Sequence, residues 1–531
     1  MAPSLAEDLP DAVVQALAQY PVFDGHNDLP AALRARAAYS VAGLDQVAPD
    51  YQTDLVRLRR GGVGAQFWSA WVPSDLSEPE AVVATLEQID AIERLVAAYP
   101  SWLARANTAA QVRAAWAGGR IASLIGVEGG HSIARSLGVL RGLARLGVRY
   151  MTLTHSRNTA WADSATDEPV HGGLTDEGRA VVRELVRLGV LVDLSHTSAA
   201  TQRDALAVAE APVIFSHSSS FAVNPHPRNV PDDVLGLLRR NGGVVQAVFV
   251  PSFVSRDLAE WEAEARAGLE DLGPDFAAFW GPAPLPGETA EQCRARRDGR
   301  GRDAGGRSGG YRHAGGPDGG GRHAGGAGRD RDACGPDGGS DAGGAGGGDR
   351  DPGVRDEGGR DSGGRDAGGP KGGGQDEGRQ VGSGPLAGAD ASDDGGAEAT
   401  GGSRRAGGSD RAGRADRAGR AASARDELES RLAAWEAGHP KPKVGIEDVV
   451  AHLEHLREVA GVDHIGLGGD YDGSLWQPAG LEDVSGYPRL LAALAERGWS
   501  AQDLAKLAGG NVLRVLEEAE QAASEPLWPG A

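Results

Sequence analysis

The chain has 531 residues, a formal net charge of -21 and 81 glycines. Such acidity argues against nucleic acid or an anionic membrane as a partner, since either would repel it. The only two cysteines, Cys293 and Cys334, exclude a disulfide framework and a thiolate zinc site, so any metal must be held by histidine and carboxylate.

The first eight residues offer neither a basic nor an apolar signal region, and no later run reaches about 18 apolar residues. A protein made and kept in the cytoplasm is expected. A short amphipathic helix from about Leu9 to Tyr20 precedes the first of eight strand-like apolar runs. These runs are Val22 to Asp24, Val63 to Val72, Ile121 to Glu128, Arg149 to His155, Val190 to His196, Pro212 to His217, Gly243 to Val250 and His464 to Asp470. Helical patterns separate them, with Thr175-Asp-Glu as a start signal before Ala180 to Leu188 and Ser500 before Gln502 to Leu507. Eight alternating units with near-continuous apolar strands predict an α/β fold, a (β/α)8 TIM-type barrel. A doubly wound open sheet is the rival, but no Gly-x-Gly-x-x-Gly follows the first strand.

Most of the glycine sits between about Cys293 and Ala424, where the composition collapses to Gly, Asp, Arg, Ala and Ser. Glycine does not recur strictly every third residue, which rules out collagen, and almost nothing there can be buried. The domain division expected is therefore barrel over 1–292, a disordered Gly/Asp/Arg-rich insert after strand seven over 293–424, and barrel continued over 425–531. The folded part comes to roughly 400 residues, which suits one large domain. Helical pattern resumes at Asp426 to Ala437 and at Ile446 to Val459.

Polar residues collect at one end of the runs. Strand one ends in His26-Asn-Asp28, strand three in Glu128-Gly-Gly-His131, strand four in Thr154-His155-Ser156, strand five in Asp193-Leu-Ser195-His196, strand six in Ser216-His217-Ser218, and strand eight in Asp470-Tyr-Asp472-Gly473. Each alone reads as an ordinary loop or core residue. In parallel strands they converge at the C-terminal mouth, where barrel enzymes keep their active sites. His26 and Asp28, two apart, point the same way. Nitrogen and oxygen donors suit Zn²⁺ best, with Mn²⁺, Co²⁺ or Fe²⁺ as alternatives. Five ligands exceed one tetrahedral site, so two ions sharing a carboxylate are the economical arrangement. Two ions about 3.5 to 4 Å apart can hold a hydroxide and polarise a carbonyl.

Asp24-Gly-His-Asn-Asp-Leu-Pro, Gly126-Val-Glu-Gly-Gly-His, Leu153-Thr-His-Ser-Arg-Asn, Val192-Asp-Leu-Ser-His, Phe215-Ser-His-Ser and Gly468-Gly-Asp-Tyr-Asp-Gly, in this order, resemble the membrane (renal) dipeptidases. The resemblance implies a binuclear zinc barrel that hydrolyses dipeptides by a metal-bridged hydroxide. It implies two Zn²⁺ per chain, one on His26 and Asp28, the other on His196 and His217, with Glu128 bridging. His155 would contact substrate and steady the oxyanion, Arg228 would hold the substrate carboxylate, and Asp470 would shuttle the proton. An arginine fork suits a free carboxylate, and a carboxylate beside the metals suits proton transfer. Asp193 and Asp472 are assigned to support and turn. His171, His226, His313, His323, His439, His452, His455 and His464 are read as surface or loop residues, with His131 and His226 nearest the mouth. The resemblance fails at Val250, where related chains carry a substrate-gripping tyrosine, and at the insert. The expected partner is a small dipeptide, with no nucleic acid, no membrane, and a homodimer left open. The alternative is another binuclear amidohydrolase acting on cyclic amides, lactones or esters. Many such barrels open with His-x-His and bridge through lysine, whereas this chain has His26-x-Asp28 and Glu128.

Overall fold

The computed structural model describes residues 9–268, 431, 434–474 and 476–524. Its strands are β1 Val22–Asn27, β2 Val63–Trp71, β3 Leu103–Arg105, β4 Ile121–Glu128, β5 Val148–Thr152, β6 Leu191–Asp193, β7 Ile214–Phe215, β8 Val244–Ala247 and β9 Ile465–Leu467. Hydrogen bonding runs in the order β2-β1-β9-β8-β7-β6-β5-β4, and pairing of β2 with β4 closes the ring. Every pair in it is parallel. This is the expected eight-stranded barrel with helices between strands.

β3 was not foreseen. It pairs with Ile121–Ser123 of β4, on the edge that β5 takes over from Ile125 onward. Three residues give too little alternation to read. The predicted strands also run longer than the observed ladders, because the polar residues at their ends leave the sheet to form turns. Parallel strands covered on both faces need apolar residues throughout, and all eight residues of β4 are buried. Phe67 packs between Phe23 and Tyr150, with ring centroids 5.4 and 4.8 Å away.

The helix signals are met locally. The first helix spans Asp11–Gln19. The Thr175 side chain accepts from the Gly178 amide at the start of Asp176–Leu188, and Ser500 accepts from Asp503 ahead of Ala501–Ala505. Ile446–Val459 is helical as expected. The expected insert, its boundaries, His313, His323 and most of Asp426 to Ala437 lie outside the described residues. β8 and β9 pair directly, Val245 with Ile465 through Ala247 with Leu467, so the ring closes across the interruption. No helix among the described residues is long and apolar enough to cross a membrane.

Candidate active site

His26 lies in β1 and Asp28 just past its end, with His26 Nε2 3.3 Å from Asp28 Oδ2. Their shared direction follows from strand alternation. His26 Nδ1 is 2.8 Å from the Tyr150 hydroxyl. With the proton on Nδ1 and donated to that oxygen, Nε2 turns its lone pair toward the other ligands. Tyr150 reaches this position over Gly126, where any Cβ would run into its ring.

Glu128, the last residue of β4, divides its two oxygens. Oε1 lies 2.9 Å from His196 Nε2, 3.5 Å from His217 Nε2 and 3.8 Å from His155 Nε2. Oε2 lies 3.4 Å from His26 Nε2 and accepts from Ser69 Oγ at 3.1 Å. His217 follows β7, and its Nδ1 is 2.8 Å from Ser216 Oγ. Ser216 Oγ donates in turn to Asp193 Oδ2 at 2.6 Å. Asp193 also accepts from Ser216 N, Ser195 N and Thr152 Oγ1, so this carboxylate fixes the His217 ring through Ser216. His196 sits at φ 66°, a left-handed conformation unusual for histidine. Its carbonyl accepts from the Ala165 amide at 2.7 Å and Thr154 Oγ1 at 3.0 Å, which holds the turn.

Asp470 also has a positive φ, 57°, and its Oδ1 is 4.0 Å from His26 Nε2. Gly473 faces both Asp470 and Asp28, and a Cβ there would collide with each carboxylate. Arg228 is only 3% exposed, contrary to the usual fate of an arginine after Pro-x-Pro. Its Nη2 donates to the His217 carbonyl at 3.1 Å and its Nη1 to Ser218 Oγ at 3.3 Å. The buried Nε makes no hydrogen bond. Trp71 Nε1 donates to His155 Nε2 at 3.2 Å.

Burial pushes the pKa values of His196 and His217 well down, helped by Arg228 and His155 at the first and by His26 at the second. Burial alone would raise Glu128, but His26 and hydrogen bonds from His196 and His217 hold it well below the usual carboxylate range. Asp470 moves the other way, raised well above its ordinary value by burial and by the neighbouring Asp28 and Glu128. Burial also lowers Arg228, to about 10, which leaves it charged. Neutral His196 and His217 therefore face an ionised Glu128, while burial, which would lower His26, is outweighed by Tyr150, Glu128 and Asp28, which raise it well above its ordinary value. His196 Nε2 and His217 Nε2 lie 2.9 Å apart, and His26 Nε2 and Asp28 Oδ1 are buried without hydrogen bonds. Nitrogen and carboxylate donors packed this closely, two of them without a hydrogen-bond partner, suit a cation among them. Among the described residues, three overlapping groups have ligand atoms within 4.8 Å of one another: His26, Glu128 and His217; Glu128, His155 and His196; and His26, Asp28 and Asp470. The donor set fits a metal centre.

All eight candidate residues thus gather at one mouth. Tyr150, Ser216, Ser69 and Trp71 were missed. A tyrosine within a buried strand was a signal for the first, and the serine flanking a candidate histidine for the second. His131 points Nε2 at the Val72 carbonyl, 3.2 Å away, and burial pushes its pKa down to about 4. His226 accepts from the Arg228 amide and stacks on Phe253. His452, read as surface or loop, is fully buried instead. Its Nδ1 accepts from the Ser220 amide at 3.0 Å. Asp472 supports its turn as assigned, accepting from the Gln52 amide at 2.9 Å.

A closed parallel barrel with histidines and carboxylates gathered at its C-terminal mouth defines a metal-dependent hydrolase of the barrel class. The chain belongs to the membrane dipeptidase family, peptidase family M19, whose model matches residues 11–528. It is accordingly an enzyme, a metallopeptidase of the dipeptidase kind. It is 47% identical over 262 residues to dipeptidase verJ of Clonostachys rogersoniana, an alignment covering 46% of this chain and 67% of the relative. Its fold is similar to that of the probable dipeptidase PvdM from Pseudomonas aeruginosa, with TM-score 0.60, 20% identity and coverage of 96% of this chain and 99% of that one. A metallo peptidase from Rhodobacter sphaeroides, liganded with a phosphinate mimic of the dipeptide L-Ala-D-Ala, matches with TM-score 0.56, 20% identity and coverage of 94% and 99%.

Proposed function

We propose that the chain is a cytoplasmic binuclear zinc dipeptidase, with a barrel over 1–292 and 425–531 interrupted at 293–424. His26 and Asp28 hold one zinc ion, His196 and His217 the other, and Glu128 bridges them. The observation that carries this reading is Glu128, one oxygen toward His26 and the other toward His196 and His217. Bound zinc supplies Lewis acidity and lowers the pKa of water. Arg228, charged and buried with an unpaired Nε, binds the substrate carboxylate. His155 contacts the scissile carbonyl as its oxygen gains charge. Asp470 takes a proton from attacking water and returns it to the leaving amine, so that acid and product amine balance.

The test is metal content measured together with turnover of a dipeptide panel beside a β-lactam and esters. L-Ala-D-Ala leads the panel, because a mimic of it occupies the Rhodobacter neighbour. About two zinc ions per chain, loss of activity with chelator, and a lower kcat with metal retained in Asp470→Asn are expected. Full activity without metal removes the reading, and turnover of esters without dipeptides transfers it to the wider amidohydrolases.

A further inference from the structure

Asp470 has an improbable backbone, and three other parts of the chain hold it there. Both Asp470 and Asp472 are left-handed, at φ 57° and 65°. Aspartate tolerates this conformation better than most residues, yet two within one short turn persist only if the surroundings over-determine them. On the β1 side, Asp24 Oδ1 accepts from the Gly469 amide at 3.1 Å and from the His26 amide at 3.0 Å. Tyr487 donates its hydroxyl proton to the other oxygen, Oδ2, at 2.5 Å. Asp24 is fully buried, so one carboxylate links the backbone of a candidate metal ligand to that of the residue before Asp470.

On the other side, Gln52 embraces the turn. Its amide donates to Asp472 Oδ1 at 2.9 Å, its Oε1 accepts from the Asp472 amide at 2.7 Å, and its Nε2 donates to the Ser474 carbonyl at 2.9 Å. Gln477 completes the clamp from within, donating to the Asp470 carbonyl at 3.2 Å. The Asp28 amide donates to the Tyr471 carbonyl at 2.9 Å, so the clamped turn is also registered against β1.

We infer that Tyr487, acting through Asp24, and Gln52 are positioning residues that hold Asp470 against the Asp28 and His26 side of the site. Neither is a catalytic residue. The inference rests on the reading of Asp470 as the proton shuttle, and displacement of a reacting group by a fraction of an ångström falls on kcat rather than KM.

The experiment compares Tyr487→Phe, Gln52→Ala and Asp470→Asn, singly and combined, in the full-length zinc-loaded enzyme. Tyr487→Phe keeps the ring against Phe249 and Tyr471 and removes only the oxygen. Each positioning variant is expected to lose about 10- to 100-fold in kcat, with KM within about twofold and zinc content unchanged. Neither should cause a further loss when Asp470 is already asparagine. Hydrogen exchange over residues 469–474 should rise in both variants while the barrel strands keep their protection. Wild-type kcat in both variants, with Asp470→Asn impaired, overturns the inference and leaves the proposed function standing. Full activity of Asp470→Asn overturns the shuttle reading and the inference with it. Equal losses with and without Asp470, lost zinc, or unchanged exchange at 469–474 assign the two residues a general structural role and also overturn it.

Discussion

Tyr150 shows how one hydroxyl can govern a candidate metal ligand. His26 Nδ1 meets it at 2.8 Å, and the ring orientation that results aims Nε2 at Asp28 and Glu128. Tyr150→Phe leaves a buried Nδ1–H without an acceptor, a cost of about 1–3 kcal/mol, and frees the ring to turn. Metal affinity should fall about 10- to 100-fold, read by competition with a chromogenic chelator. Unchanged affinity would mean that packing alone orients His26. Gly473 offers a second test, since its Cα faces Asp470 and Asp28 together. Gly473→Ala should displace both carboxylates and reduce kcat more than stability, compared by steady-state kinetics and thermal melts. A variant with wild-type kcat would show that the turn can yield without moving Asp470.

At the scale of elements, His452 joins three of them. It lies on the helix Ile446–Val459, accepts from the Ser220 amide in the loop that carries Arg228, and contacts the Val254 carbonyl at 3.2 Å. Nδ1 is the acceptor, so the proton resides on Nε2 and faces the carbonyl. Burial pushes its pKa down to about 4, with the Val254 carbonyl opposing and His455 assisting. The unfolded chain therefore binds the proton first as pH falls. The stability from the neutral form is complete above about pH 6.5 and is lost progressively toward pH 4, roughly 3 kcal/mol in all. Denaturant titrations at pH 7.5 and 5 should show the wild type losing more stability than His452→Gln. Equal losses would exclude His452 as the titrating group. Sequence pattern misjudged this residue for a physical reason. Polarity marks histidine as exposed, and only the approach of Ser220 and Val254, far away in the chain, provides partners that allow burial. The same limit hid Tyr150, whose partner His26 is in another strand, and left Arg228 legible only through the family resemblance, since its partners are a carbonyl and a serine at the barrel mouth. Local signals were legible: Thr175 and Ser500 cap their helices through their own next turn, and His26 and Asp28 share a direction by alternation.

For the whole molecule, the question is how a barrel keeps its closure with 293–424 inserted in its sequence. Among the described residues, the flanking segments meet each other. Trp261, in the helix Arg256–Gly268, packs on Trp435 at 5.1 Å between ring centroids and donates its Nε1 hydrogen to the His439 carbonyl at 2.8 Å. Lys441 lies between Trp261 and Trp476, with Nζ 5.7 and 3.1 Å from their ring centroids. Beyond this junction β8 and β9 pair directly. Removing 293–424 shortens the stretch between the described flanks roughly fivefold, and for a flexible chain that lowers the closure cost by about 1.4 kcal/mol. The deleted protein should therefore melt at the same temperature or slightly higher, bind the same metal and keep its kcat/KM for dipeptides. A folded, metal-loaded deletion variant with impaired turnover would show instead that the glycine-rich stretch contributes to substrate handling. Loss of folding would show that the tryptophan junction cannot close the barrel alone, and Trp261→Ala in the full-length chain should then be similarly destabilised.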